Sequence, residues 1–192
     1  MPSENLTPQN NNNQEISKAE VIQLSPDQWE LFRDIKLKAL KDCPEAFKDK
    51  YEDEVNLSEE DWRKKLSDIK KQYFFSEKDK KIIAMIGIEF LEGVDKQKVE
   101  IHSVFVDRDR RYKGVGTALM KDILEKIKTN PEITEVVLKV RATQEDAIKI
   151  YKKLGFEVYE DEKMEGKEDK VKLKDGSFVD RISMKLTLNN LN

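Results

Sequence analysis

From Ala19 onward the apolar positions fall into blocks of two periods, one near 3.6 and one near 2, and they predict the order of elements. Val21, Ile22 and Leu24 suggest a short first strand. Ser25-Pro26-Asp27-Gln28 then reads as an N-cap, a first-turn proline and a Gln at N3, opening a helix to about Lys41. Pro44 stops it, and 45–56 is a charged, helical or irregular stretch. Ser58-Glu59-Glu60-Asp61 repeats the capping pattern ahead of Trp62, Leu66 and Ile69, which predicts another helix. The apolar runs 73–75 and 82–90, separated by the charged turn 77–81, predict two antiparallel strands, and the turn 93–97 leads into a third.

The chain is organised around residues 99–120. A β-rich run over 101–106 passes through a charged turn and re-emerges with helical spacing at Leu119, Met120, Ile123, Leu124 and Ile127. Asn130-Pro131 ends that helix, and Val136, Val137, Leu138 and Val140 read as a buried parallel strand, giving a β-α-β connection. Ala147, Ile150, Tyr151 and Leu154 mark a further helix stopped at Gly155. Runs at 156–159 and 178–186 close the sheet across a long charged connection, 160–176. No repeat is present. The fold class is therefore mixed α/β.

Residues 1–18 hold few large apolar groups, so ordering them would cost entropy for little burial. They read as a disordered polar tail before one domain over 19–189, since 192 residues suit a single core. With 36 basic against 39 acidic residues and a net charge of -3, nothing points to nucleic acid or to an anionic membrane. No apolar run reaches spanning length and no leader pattern opens the chain, so a cytoplasmic protein is expected, monomer or homodimer. One cysteine, Cys43, excludes an intrachain disulfide, and one histidine, His102, leaves too few ligands for a zinc cluster, so no metal is expected. A Cys43–His102 nucleophilic pair lacks any activating signature around the cysteine. The acids between Glu45 and Asp61 read as a solvated face, with a funnel for a cationic amine as the sharper alternative.

The loop Arg111-Tyr112-Lys113-Gly114-Val115-Gly116-Thr117 carries the chemistry. Its glycines allow backbone N–H groups close to a ligand, and those groups open a helix, where an anion such as a pyrophosphate is favoured. The phosphate loop G-x-x-x-x-G-K-[ST] is absent, and Leu119 replaces the third glycine of G-x-G-x-x-G. What remains, R-x-x-G-x-G after a strand, resembles the acetyl-CoA-binding motif of the GNAT superfamily of N-acetyltransferases, with Arg111, Gly114 and Gly116 at the pattern positions. A second anchor, Gln144-x-x-Ala147-x-x-x-Tyr151-x-x-Leu154-Gly155-Phe156, is similar to that superfamily's N-x-x-A-x-x-x-Y-x-x-x-G-F segment. The stretch 39–47 also resembles the helix-loop-helix that many members place over the acceptor.

The resemblance implies a mostly antiparallel splayed sheet with one parallel β-α-β pair, flanked by helices. It implies a bulge near 103–105 that opens a slot for pantetheine, bordered by Phe105 and Val106, with the Val106 N–H or a neighbour polarising the thioester carbonyl. It also implies acetyl-CoA as co-substrate, an amine acceptor, and contacts from 111–117 and Gln144, whose side chain is one methylene longer than the usual Asn. Tyr112 stands where the longer motif has glycine. Glu100 falls where histone-acetylating members carry a general base, and His102 follows on the same strand face. Each has a second reading, Glu100 as a solvent-facing strand residue and His102 as a packed imidazole, and water is a third base. Tyr151 stands at the general-acid position, or is a core aromatic. The expected function is N-acetyl transfer in a ternary complex; the alternatives are an acyl-CoA-binding module on the same fold or a longer acyl donor.

Overall fold

The computed structural model describes residues 19–111, 113–160, 170–172 and 176–188. The tail expected over 1–18, Tyr112 and most of the 160–176 connection lie outside the described residues. The strands are β1 (Glu20–Ile22), β2 (Lys71–Lys78), β3 (Lys81–Phe90), β4 (Lys98–Val106), β5 (Glu135–Arg141), β6 (Glu157–Val158), β7 (Lys170–Lys172) and β8 (Phe178–Thr187). They form one sheet in the order β1-β2-β3-β4-β5-β8-β6, with β7 against β8. β4 and β5 run parallel and the other pairs are antiparallel, as the sequence predicts.

The helices α1 (Trp29–Asp42), α2 (Tyr51–Glu54) and α3 (Glu59–Ser67) precede β2; α4 (Val115–Lys128) joins β4 to β5, and α5 (Glu145–Lys153) follows β5. The apolar stripe of α4, Leu119, Met120, Ile123, Leu124 and Ile127, packs with Val99, Ile101, Val136, Leu138 and Tyr151 on one face of the sheet. Phe32 of α1 and Trp62 of α3 pack with Tyr73, Phe75, Met85 and Phe105 on the other. Phe32 and Trp62 are fully buried and meet edge to face with centroids 5.3 Å apart, so each side chain contributes roughly 1.5–3 kcal/mol through burial.

Local signals fix most boundaries. Asp61 N–H donates to Ser58 Oγ and Ser58 N–H donates to Asp61 Oδ2, closing the capping box at α3. Gly155 sits at φ 92 past α5, where its missing Cβ makes the left-handed stop inexpensive. Three expectations need correcting. Ile69 is not on the α3 stripe, because the helix ends at Ser67 and Ile69 is 80% exposed. The charged turn after β2 shrinks to Asp79 and Lys80, both at positive φ, because strand pairing extends through Glu77 and Lys78. The acids of 45–61 are also more than a solvated face: Glu54 is buried and pairs with Lys65 at 2.8 Å, and the half-buried Asp49 pairs with the fully buried Lys36 at 2.6 Å.

Candidate active site

Parallel pairing between β4 and β5 runs only from Lys98/Glu135 to Ile101/Leu138. Beyond it the strands part. On its other side β4 slips register against β3, with His102 opposite Gly87 but Phe105 opposite Met85, so Ser103 and Val104 together oppose Ile86. Ser103 carries the slip at φ 53, a left-handed conformation that strains a residue with a Cβ. The bulge lies within the interval expected for it. After it, Phe105 returns to the face that His102 occupies and packs beneath α1. Asp107 N–H donates to Ile83 O at 2.9 Å, and successive N–H groups alternate sides along a strand, so the Val106 N–H points away from β3 into the gap.

The loop after β4 delivers the start of α4 to that gap. Gly114 is the N-cap at φ 77, and no side chain caps the helix. The N–H groups of Val115, Gly116 and Thr117 lie in the first turn, before any intrahelical acceptor is available. A Cβ on Gly116 would stand 3.2 Å from Val106 Cγ2, so the helix start can approach the strand this closely because residue 116 is glycine. Arg111 turns inward: its Nε donates to Val106 O at 3.0 Å, and its Nη2 donates to Cys43 Sγ at 3.3 Å. Its guanidinium thus braces the loop against β4 and the end of α1. Lys113 is exposed and donates to Asp109 O at 2.9 Å.

A cleft of about 150 Å³ opens where the strands part. Its lining includes Phe47, Lys48, Glu100, His102, Val104 and Tyr151. Gln144, the N-cap of α5, also lines it, and its Oε1 accepts from Arg141 N–H at 3.4 Å. Glu100 is 18% exposed and meets Lys48 Nζ at 3.1 Å. Tyr151 is 8% exposed, and burial pushes its phenol up to about 12, so it holds its proton at neutral pH. His102 packs edge to face on Tyr73, and its Nδ1 lies 3.0 Å from Ser103 Oγ while its buried Nε2 has no partner among the described residues. Burial, reinforced by the charges of Lys71, Lys36 and Lys48, pushes the imidazole down to about 3.

Beneath the cleft lies a charged group that the reading of the sequence did not single out. Lys36 of α1 is fully buried, 2.6 Å from Asp49 Oδ2, and donates to Ser103 Oγ at 3.3 Å. Burial pulls the lysine below its ordinary range, and the Asp49 charge only partly restores it. For Asp49 burial acts upward, but the Lys36 charge and hydrogen bond outweigh it and the carboxyl lies below its usual range. A polar chain from Asp49 through Lys36 and Ser103 to His102 therefore underpins the bulge. The available signal was Lys36 itself, four residues from both Phe32 and Leu40 on the buried stripe of α1.

The sequence profile of the Acetyltransferase (GNAT) family matches residues 29–156. This chain belongs to the GNAT acetyltransferase family. It is 35% identical over 88 residues to an uncharacterized N-acetyltransferase, MJ1207, of Methanocaldococcus jannaschii, covering 44% of this chain and 38% of that protein. It is 28% identical over 106 residues to the L-amino acid N-acetyltransferase AaaT of Escherichia coli, covering 55% and 62%. The chain thus spans less than two thirds of the length of these curated relatives. A GNAT-family acetyltransferase structure from Streptococcus pneumoniae superposes with a TM-score of 0.73 at 15% identity, covering 89% of this chain and all of that one.

Against this GNAT frame, Glu100, His102, Gln144 and Tyr151 meet at one cleft, and Val106 meets Gly116 across the gap. Phe105 and Arg111 instead support the site from behind, Phe105 within the α1–α3 core and Arg111 on Val106 O and Cys43. Cys43 and His102 are engaged with Arg111 and Ser103 respectively, rather than with each other. Tyr112 lies outside the described residues. Gly87, Lys36 and Lys48 join the site through tertiary contacts alone.

Proposed function

We propose that this chain transfers an acetyl group from acetyl-CoA to a primary amine, with both substrates bound at once. The observation that carries the reading is the gap between β4 and β5, edged by the outward Val106 N–H and closed at one end by the uncapped start of α4. These features fit acetyl-CoA. The first-turn N–H groups of Val115, Gly116 and Thr117 suit a pyrophosphate, and the free edge of β4 suits an amide-bearing pantetheine arm. Bound acetyl-CoA supplies an acyl group activated as a thioester.

The side chains divide the remaining work. Glu100, sheltered at the cleft, takes the proton of the acceptor ammonium, which is needed because an amine near its reference pKa is mostly protonated at neutral pH. His102 is a poor candidate for that role, since an imidazole that protonates only near pH 3 has little basicity to offer. The Val106 N–H polarises the carbonyl under attack. Tyr151, held neutral by burial, donates its proton to the departing sulfur. The near balance of 36 basic and 39 acidic residues supports an acceptor other than nucleic acid. We infer a cytoplasmic setting and a monomer or homodimer.

The test is release of CoA thiol in the presence of a panel of small amines, amino acids and peptide N-termini. Turnover of at least one class is expected, falling about a hundredfold or more in Glu100→Gln and recovering in part at higher pH as free amine accumulates. Acetyl-CoA binding without turnover of any amine would instead favour an acyl-CoA-binding module on the same fold.

A further inference from the structure

The cleft already contains a primary amine of the chain itself. Lys48 Nζ lies 3.1 Å from Glu100 Oε1, and the two side chains are 65% and 18% exposed. The amine thus reaches from the solvent side to a sheltered carboxylate. Lys48 lines the same cleft as His102, Val104 and Tyr151. Its position is set by more than a surface contact, because the next residue, Asp49, is anchored 2.6 Å from the fully buried Lys36. An amine held beside the group that would deprotonate it has a high effective concentration there. Lys36, the other lysine in this network, is fully buried and bonded to both Asp49 and Ser103, which leaves it unsuited as an acceptor.

We propose that Lys48 is a self-acetylation site, modified by the chain's own transferase centre when acetyl-CoA is bound. The inference rests on the transferase reading given above. Glu100 takes one proton from the Lys48 ammonium, the nitrogen lone pair forms a bond to the thioester carbonyl carbon, and the carbon–sulfur bond breaks with its electron pair on sulfur. Of the two protons the nitrogen loses on becoming an amide, one is matched by the proton sulfur receives from Tyr151, which is then reprotonated, and one passes to solvent. The products are acetyl-Lys48, free CoA thiol and a proton.

The modification changes the cleft. Lys48 in its charged form competes with any incoming ammonium for Glu100, whereas the amide is neutral and leaves the carboxylate to the substrate. Self-acetylation therefore acts as a one-time priming step that raises the affinity for external amines.

The experiment incubates the full chain with acetyl-CoA and no added amine, and follows acetylation of each lysine by peptide mass mapping, beside thiol release with the amine panel. The expected result is Lys48 labelled ahead of the exposed lysines, at a rate independent of protein concentration and at least about a hundredfold slower in Glu100→Gln. Lys48→Arg, whose guanidinium stays charged and non-nucleophilic, is expected to lose the fast label. Lys48→Gln, which imitates the neutral product, is expected to lower KM for external amines. Uniform labelling of surface lysines that Glu100→Gln does not slow would overturn the proposal as simple chemical acetylation. A Lys48 rate that rises with protein concentration would overturn an intramolecular step. Amine turnover with Lys48 unlabelled would remove this inference and leave the transferase reading intact. Loss of both activities would remove both.

Discussion

Gly87 of β3 and His102 of β4 are paired in register, and a Cβ on Gly87 would lie 2.2 Å from His102 Cε1. The imidazole rests on the bare backbone of the neighbouring strand, and Tyr73 holds it edge-on with centroids 5.6 Å apart. Alanine at this position would ordinarily help a strand by restricting the unfolded chain. Here it is expected to cost about 1–3 kcal/mol, because the ring must leave its place. Urea denaturation of Gly87→Ala, His102→Ala and the double variant checks this. The double variant should recover much of the loss, and a parent-like midpoint for Gly87→Ala alone would mean the contact carries no energy.

That contact shows where the sequence stops being informative. The R-x-x-G-x-G loop, the α4 stripe and the α5 segment are local patterns, and each is found where it was expected. The splayed sheet was also legible, although through resemblance to other proteins rather than through periodicity. Gly87 reads in the sequence as a weak point in an apolar strand, since its partner is fifteen positions away and known only once the register is. Lys36 was visible as a charge on a buried stripe, but its partners Asp49 and Ser103 come from an irregular segment and a strained bulge. Such positions are set by tertiary packing, against local preference.

The loop glycines yield a second prediction. Gly116→Val places side-chain atoms against Val106 Cγ2, already 3.2 Å from where a Cβ would stand, and so pushes the α4 start away from the gap. Gly114→Val must hold φ 77, which costs roughly 1–2 kcal/mol for a residue with a Cβ. Acetyl-CoA at 100 times its dissociation constant adds about 2.7 kcal/mol to the stability of a protein that binds it. Both variants are expected to lose most of that gain in thermal melts while still unfolding cooperatively. Full stabilisation of Gly116→Val by acetyl-CoA would mean that the loop has another purpose.

The pH dependence of stability follows from His102. An unfolded histidine titrates near 6.5, whereas the folded imidazole is pushed down to about 3 by burial and neighbouring lysines. Between those values the unfolded chain binds the extra proton. The contribution is therefore complete above about pH 6.5 and is lost progressively as the pH falls towards 3. From pH 7 to pH 5 the loss from this one group is about 2 kcal/mol. His102→Gln does not titrate and is expected to show a flatter profile than the parent over that interval. Parallel profiles would indicate that His102 becomes protonated without unfolding.

Tyr151 provides the measurement that best divides catalysis from packing. Its ring is buried against Phe156 with centroids 6.0 Å apart, and phenylalanine would preserve that contact. Its hydroxyl, kept neutral by burial that moves the phenol up to about 12, is available as a proton donor at neutral pH. If that proton goes to the leaving sulfur, Tyr151→Phe removes an interaction that strengthens only as charge develops there. Turnover then falls while acetyl-CoA affinity is nearly unchanged. Single-turnover acetyl transfer beside calorimetric binding checks this, on a variant first shown to melt like the parent. A drop of tenfold or more, about 1.4 kcal/mol in the barrier, is expected. Equal rates would return Tyr151 to the core as a packing residue, and a matching loss of affinity would place its hydroxyl in ground-state binding instead.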